Sequence, residues 1–158
     1  MNPDQLIALL STTEEYLNRS TSQLTEAHAQ FCPAEGVYTT AAQLAHIAST
    51  VDWFVDGAFS PQGFNMEFEA HDAAAKAVKT MAEARAWVAK SFESARTTLA
   101  SKSQQELSAP IVEGPVMGGL PRFTIVSGIQ EHTAHHRGAL SVYTRLQGAV
   151  PPMPYMDM

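Results

Sequence analysis

Six histidines stand in the 158-residue chain, and three of them, His132, His135 and His136, fall within five residues. Around them Ile125, Ile129, Leu140 and Tyr143 recur at the spacing of one helix face. His132 and His136 take two consecutive places on that core-facing stripe. Two imidazoles one turn apart on a buried face need partners, because an unpaired buried polar group costs several kcal/mol. A cation bound by both nitrogens supplies one, and the i,i+4 spacing aims both rings at a single point. Hydrogen bonds to Ser, Thr or backbone carbonyls are the competing way to satisfy the pair. His135 pairs with His132 at i,i+3 and is an alternative ligand. It lies about 100° around the helix from His136, off the Ile129–Leu140 line, so His132 and His136 are favoured.

A third ligand has to come from another helix. His46 is the best placed, in mid-helix with Thr50 and Trp53 on its side. It sits at the edge of its helix's apolar arc, so the pattern leaves open whether it lines a cavity or the surface. His28, at a helix end, and His71, in an expected loop, are weaker candidates. Three neutral imidazoles on one metal leave positions free for water or substrate. Such a donor set suits Zn²⁺, Ni²⁺ or Fe²⁺, with Mn²⁺ and Co²⁺ as further options. Its chemistry is the acidification of a bound water or thiol. Cys32, before Pro33 at a helix end, reads as a bystander thiol.

Four long helices must position these groups. The first is expected from about Pro3 to Ala29, with Asn2 as cap and Leu6, Leu10, Thr13, Leu17, Ser20 and Leu24 on its face. The second runs from about Ala41 to Ala58, with Thr40 and Gln43 as a capping box. The third starts at Thr80–Glu83, or a turn or two earlier, and ends near Lys102. The fourth spans about Arg122 to Gln147, stopped by Gly148 and Pro151–Pro152. The stretches 59–75 and 103–121 read as long connections, the first helix-prone from Ala73 to Val78. No convincing strand appears. The expected fold is all-α: a four-helix bundle with long crossover connections, as a single domain over residues 1–158. The apolar tail, Val150 to Met158, is expected to pack on the bundle or on a partner subunit.

Composition narrows the function classes. Apolar residues make up 45% and charged residues 16%, which excludes a disordered or fibrous chain. A net charge of −6 without a basic run argues against nucleic-acid binding. No apolar run approaches the ~20 residues that cross a bilayer, so no membrane partner is expected. The start has no basic n-region and no small-residue cleavage site, so no secretory signal is expected. The single cysteine fits a reducing cytoplasm.

The run from His132 through Arg137, Gly138, Leu140, Tyr143, Arg145 and Gly148 to Val150, Pro151 and Tyr155 closely resembles the C-terminal signature of DinB-like proteins. Leu44–Ala48 with Trp53 resembles the same family's second-helix signature. The resemblance spans nearly the whole chain. It implies a DinB-like four-helix bundle, often with an up-down-down-up path that uses 59–75 as a crossover, and often dimeric. It also implies a three-histidine metal site, whose ligands carry over to His46, His132 and His136. One departure is Ala139, where the family usually has Gln, which puts a pocket or supporting hydrogen bond in doubt. These proteins are unrelated to the DNA polymerase that shares the name.

The family includes thiol-dependent S-transferases and an isomerase that use a low-molecular-weight thiol. The leading expectation is therefore a metal-dependent thiol S-transferase acting on a small molecule. Arg137 or Arg145 is the candidate anchor for the thiol cofactor's carboxylate, in competition with a salt bridge for Arg137 and a helix-end charge for Arg145. A metal-assisted hydrolase, with Glu131 or Asp52 as base, is the first alternative. A non-catalytic metal-binding scaffold or stress protein is the second, so the sequence leaves open whether the protein is an enzyme at all.

Overall fold

The computed structural model describes residues 1–155. Met156, Asp157 and Met158 of the tail lie outside the described residues. Six α-helices occur among the described residues: α1 (Pro3–Ser20), α2 (Thr40–Phe59), α3 (Phe68–Ala77), α4 (Met81–Ala100), α5 (Gln104–Ser108) and α6 (Ile125–Leu146). No strand occurs among the described residues beyond a single bridge between Pro110 and Pro121. The fold is the expected all-α bundle with long crossovers.

Helices α1, α2, α4 and α6 form the bundle. α1 and α2 each pack on both α4 and α6, so α1 faces α2 across a diagonal. Contacts fix the directions. Arg85 reaches the end of α1 and Arg96 bonds Glu14 in its middle, so α1 and α4 are antiparallel. Trp87 bonds Asp52 and Lys102 lies over Phe59, so α4 and α2 run parallel. Gln43 meets His136 while Phe54 meets Gly128, so α2 and α6 are antiparallel. This is an up-down-down-up path. The connection after α2 therefore returns along the bundle before α4 begins, and it carries α3.

The leucine face of α1 is fully buried at Leu6, Leu10 and Leu17, opposite Phe92 and Leu99 of α4. Asn2 caps α1 with Gln5 as its reciprocal partner, and the Thr80 side chain accepts from Glu83 N on α4. α1 ends nine residues before the expected Ala29. Arg85 donates to the Thr21 and Leu24 carbonyls at 2.7 and 3.0 Å, tying down the chain where it turns away from the axis of α1. A short 3-10 turn at Glu26–His28 then carries Glu26, whose carboxylate accepts from Met81 N and caps α4.

The start of α2 also differs from expectation. Thr39, not Thr40, is the cap, accepting from Ala42 N at 3.2 Å. Gln43 is thereby freed from a capping box and turned inward. Within 103–121 the chain forms α5 and inserts Leu107 and Ile111 into the core, which its Gly and Pro content concealed. The described tail packs on the bundle: the rings of Tyr155 and Tyr16 meet edge to face at 5.0 Å, and Arg137 donates to the Tyr155 hydroxyl.

Candidate metal centre

His46 stands on α2 between Ala45 and Ile47, both fully buried. His132 stands on α6 beside buried Ile129 and Thr133. The antiparallel packing of α2 on α6 brings His46, His132 and His136 together, with one ring nitrogen of each inside 4.8 Å of the others. The Nε2 atoms of His46 and His132 are 3.2 Å apart. Two lone pairs so close repel unless a proton or cation lies between them. Two imidazoles on one tetrahedral ion stand about 3.4 Å apart, given metal–nitrogen bonds of 2.0–2.1 Å. The donor set therefore fits a single divalent cation.

The outer nitrogens have partners that orient the inner ones. Gln43 bonds Nδ1 of His136. With the amide oxygen turned to accept from Nδ1–H, Nε2 is left as a free lone pair. His46 Nδ1 lies 3.4 Å from the Tyr38 hydroxyl, which donates to Asp72 at 2.5 Å, and Asp72 in turn accepts from Lys76 at 2.6 Å. The Tyr38 oxygen can therefore accept from Nδ1–H of His46, again leaving Nε2 free. The Tyr38 ring also stacks on His46 with centroids 5.0 Å apart. Such outer partners fix tautomer and ring direction at metal sites.

The electrostatics agree with this. Burial, reinforced by the neighbouring imidazoles, lowers His132 to a pKa of about 4 and His136 to about 3. Burial also lowers His46, against the pull of Asp72. All three are neutral near pH 7, the form that ligates. Burial pushes the Tyr38 hydroxyl up, with the bond to Asp72 adding to it. Lys76, then Tyr38, hold Asp72 below the usual carboxylate range.

A cavity of about 310 Å³ opens beside His46 and His132, walled by Tyr38, Trp53 and Phe54 on one side and by Phe68, His71 and Asp72 of α3 on the other. A second cavity of about 350 Å³ adjoins it through Ser49, Trp53 and His71, and carries Asp52 and Asp56.

The remaining candidates separate. His135 is exposed, its ring edge-on to His136, outside the trio. His28 accepts from Thr25 N at 2.9 Å and shapes the 3-10 turn. Arg137 and Arg145 do not line the cavity. They face a larger groove of about 1060 Å³ between α1, α6 and the tail, whose lining includes none of the histidines. Arg137 bonds Tyr155 there, and Arg145 bonds the Ser141 carbonyl of its own helix. Glu131 is exposed, and Asp52 accepts from Trp87 Nε1 at 2.8 Å. His71, a weaker candidate in an expected loop, stands instead on α3 and lines the cavity outside the trio. Gln43, Tyr38, Phe68 and Asp72 were not read from the sequence as site residues. Gln43 had a signal, since it lies three residues before His46 on the same side of α2. The others had none, because only the path of the chain brings them to the histidines.

Residues 9–140 match the DinB superfamily, and the chain belongs to it. A crystal structure of a DinB-like protein from Bacillus subtilis is similar at a TM-score of 0.68 and 16% identity, over 97% of this chain and 99% of that one. The crystal structure of a protein from Streptococcus pneumoniae is similar at a TM-score of 0.71 and 15% identity, over 92% and 91%. At such identity these similarities show the fold. No curated protein matches the chain.

Proposed function

We propose that the protein is a metal-dependent enzyme in which His46, His132 and His136 hold one divalent cation, and that its reaction is thiol S-transfer. The observation that carries this reading is the histidine trio itself: half-buried, neutral and aimed inward by Gln43 and Tyr38. A divalent cation supplies Lewis acidity there, acidifying a thiol in contact with it at neutral pH. The chain's own residues supply the rest. α2 and α6 fix the three rings, burial keeps them unprotonated, and the cavity beside His46 and His132 receives the small-molecule electrophile.

The thiol itself comes from outside. Cys32 is exposed, its thiol directed at the carbonyls of Ala34 and Val37, and it does not line the cavity. With Arg137 and Arg145 in the other groove, the reading rests on the histidines and not on those two residues. The protein is further proposed to act as a cytoplasmic homodimer. Exposed Val142, Leu146 and Val150 at the end of α6 support a second copy docking there, and sedimentation checks the mass.

The test is metal content by mass spectrometry of untagged protein, for wild type and His132→Ala. About one equivalent of zinc, nickel or iron in wild type, lost in the variant, is expected. Metal-loaded protein is then assayed with glutathione, bacillithiol and mycothiol against model electrophiles. No metal after reconstitution, or no turnover with any thiol, would overturn the reading.

A further inference from the structure

The cavity beside the histidines is more selective than its size requires. Trp53, Phe54, Phe68 and the ring of Tyr38 make most of its wall. Trp53 and Phe54 are held in place before any ligand arrives. Trp53 Nε1 donates to the Asn65 carbonyl at 2.6 Å, and its ring lies against Phe64 at 4.6 Å. Phe64 in turn sits on Gly57, closer than any Cβ would allow. Phe54 seats against α6 at Gly128, where an added Cβ would stand 2.8 Å from the ring. A wall fixed in this way loses little freedom on binding, so most of the contact energy is kept.

The polar groups of the wall are largely spoken for. Ser49 and Thr50 both donate to the His46 carbonyl, at 3.0 and 2.9 Å. The Tyr38 hydroxyl donates to Asp72, and Lys76 bonds the same carboxylate. What remains for a ligand is the pair of histidine nitrogens at one end. The adjoining cavity carries Asp52 and Asp56, which disfavours an anionic body. The volume, about 310 Å³, is at the lower limit of ligand cavities and suits one ring with a short head.

We infer that this cavity seats the ring of a small, uncharged aromatic ligand, with its polar head toward His46 and His132. The orientation of the head rests on the metal reading above, whereas the ring seat does not.

The experiment therefore has a metal-free arm and a metal-loaded arm. Binding of benzamide and of hexanamide to metal-free protein is measured by ligand-detected NMR. Wild type is expected to hold benzamide about tenfold tighter, a difference of about 1.4 kcal/mol. That preference falls to about threefold or less in Phe68→Ala, whose exposed position spares the fold. Gly128→Ala, which touches no ligand and displaces Phe54, gives a second variant with the same expected loss. Zinc-loaded protein is titrated with benzohydroxamate and heptanohydroxamate, which share a metal-binding head. The same ring preference is expected, on a much higher affinity. Equal binding of ring and chain in wild type, or a ring preference unchanged in both variants, overturns the inference. Ring preference in the metal-free arm with no zinc uptake supports the ring seat and sinks the metal reading instead.

Discussion

The two walls of the cavity are built in opposite ways. The wall of α2 and α6 grows out of the core: Ala45, Ile47, Ile129 and Leu140 around the histidines are at most 1% exposed. The wall of α3 hangs on the outside. That ten-residue helix buries only Ala75, packs on α2, and presents Phe68 at 53% exposure. Yet α3 supplies Phe68, His71 and Asp72, three of the cavity's lining groups. Groups that must hold a fixed geometry stand on the rigid wall, and groups that shape the cavity stand on the lightly anchored one. Sites and local stability are commonly divided in this way.

The largest effect should come from beneath the rigid wall. Ile129→Ala leaves a void in the α6 face and should cost about 2–5 kcal/mol in chemical denaturation. A loss below about 1 kcal/mol would mean that the histidine wall is not the core-anchored one.

The next effect concerns how each wall steadies the trio. Gln43→Leu removes the partner of His136 on the rigid side and should weaken zinc binding by roughly 10–100-fold in a competition titration. Tyr38→Phe keeps the stack on His46 and removes only the link toward α3, so it should fall at or below the low end of that range. Equal losses would show that both walls orient the ligands alike.

Acid should act on the rigid wall. In the metal-free protein His132 titrates near 4 and His136 near 3, below the usual histidine value near 6.5. Between those values the unfolded chain binds more protons than the folded one, so stability falls as pH drops below about 6.5 and is flat above it. Thermal melts from pH 8 to 4 should show this, and a His132→Gln/His136→Gln double variant should flatten the profile. An unchanged profile in the double variant would place the acid sensitivity elsewhere.

The smallest effect is expected on the outer wall. Phe68→Ala should change stability by no more than about 0.5 kcal/mol, because the ring is half in water. A larger loss would make α3 a structural element and close the gap between the two walls.

The helices and their faces were legible because hydrophobic periodicity is local. The leucines of α1 and the Ile125–Tyr143 stripe of α6 needed no knowledge of the rest of the chain. The same stripe, together with the family signature, singled out His132 and His136, and the family match singled out His46. The choice between capping residues was less legible: Thr39 and Thr40 are adjacent equivalents, and the difference decided where Gln43 points. The chain just past the end of α1 is held by Arg85, which lies more than sixty residues away.

The sequence by itself therefore determined an all-α bundle and which histidines could share a face. Both follow from side-chain spacing along a helix, fixed by local backbone geometry. Tertiary structure alone decided which neighbours those histidines would have. The parallel run of α2 and α4 obliges the chain to return along the bundle, and that return places α3 beside α2. Asp72 thereby meets Tyr38, Phe68 and His71 close the cavity, and Arg137 and Arg145 turn toward α1 and the tail. These are contacts between residues distant along the chain, and no local pattern encodes them.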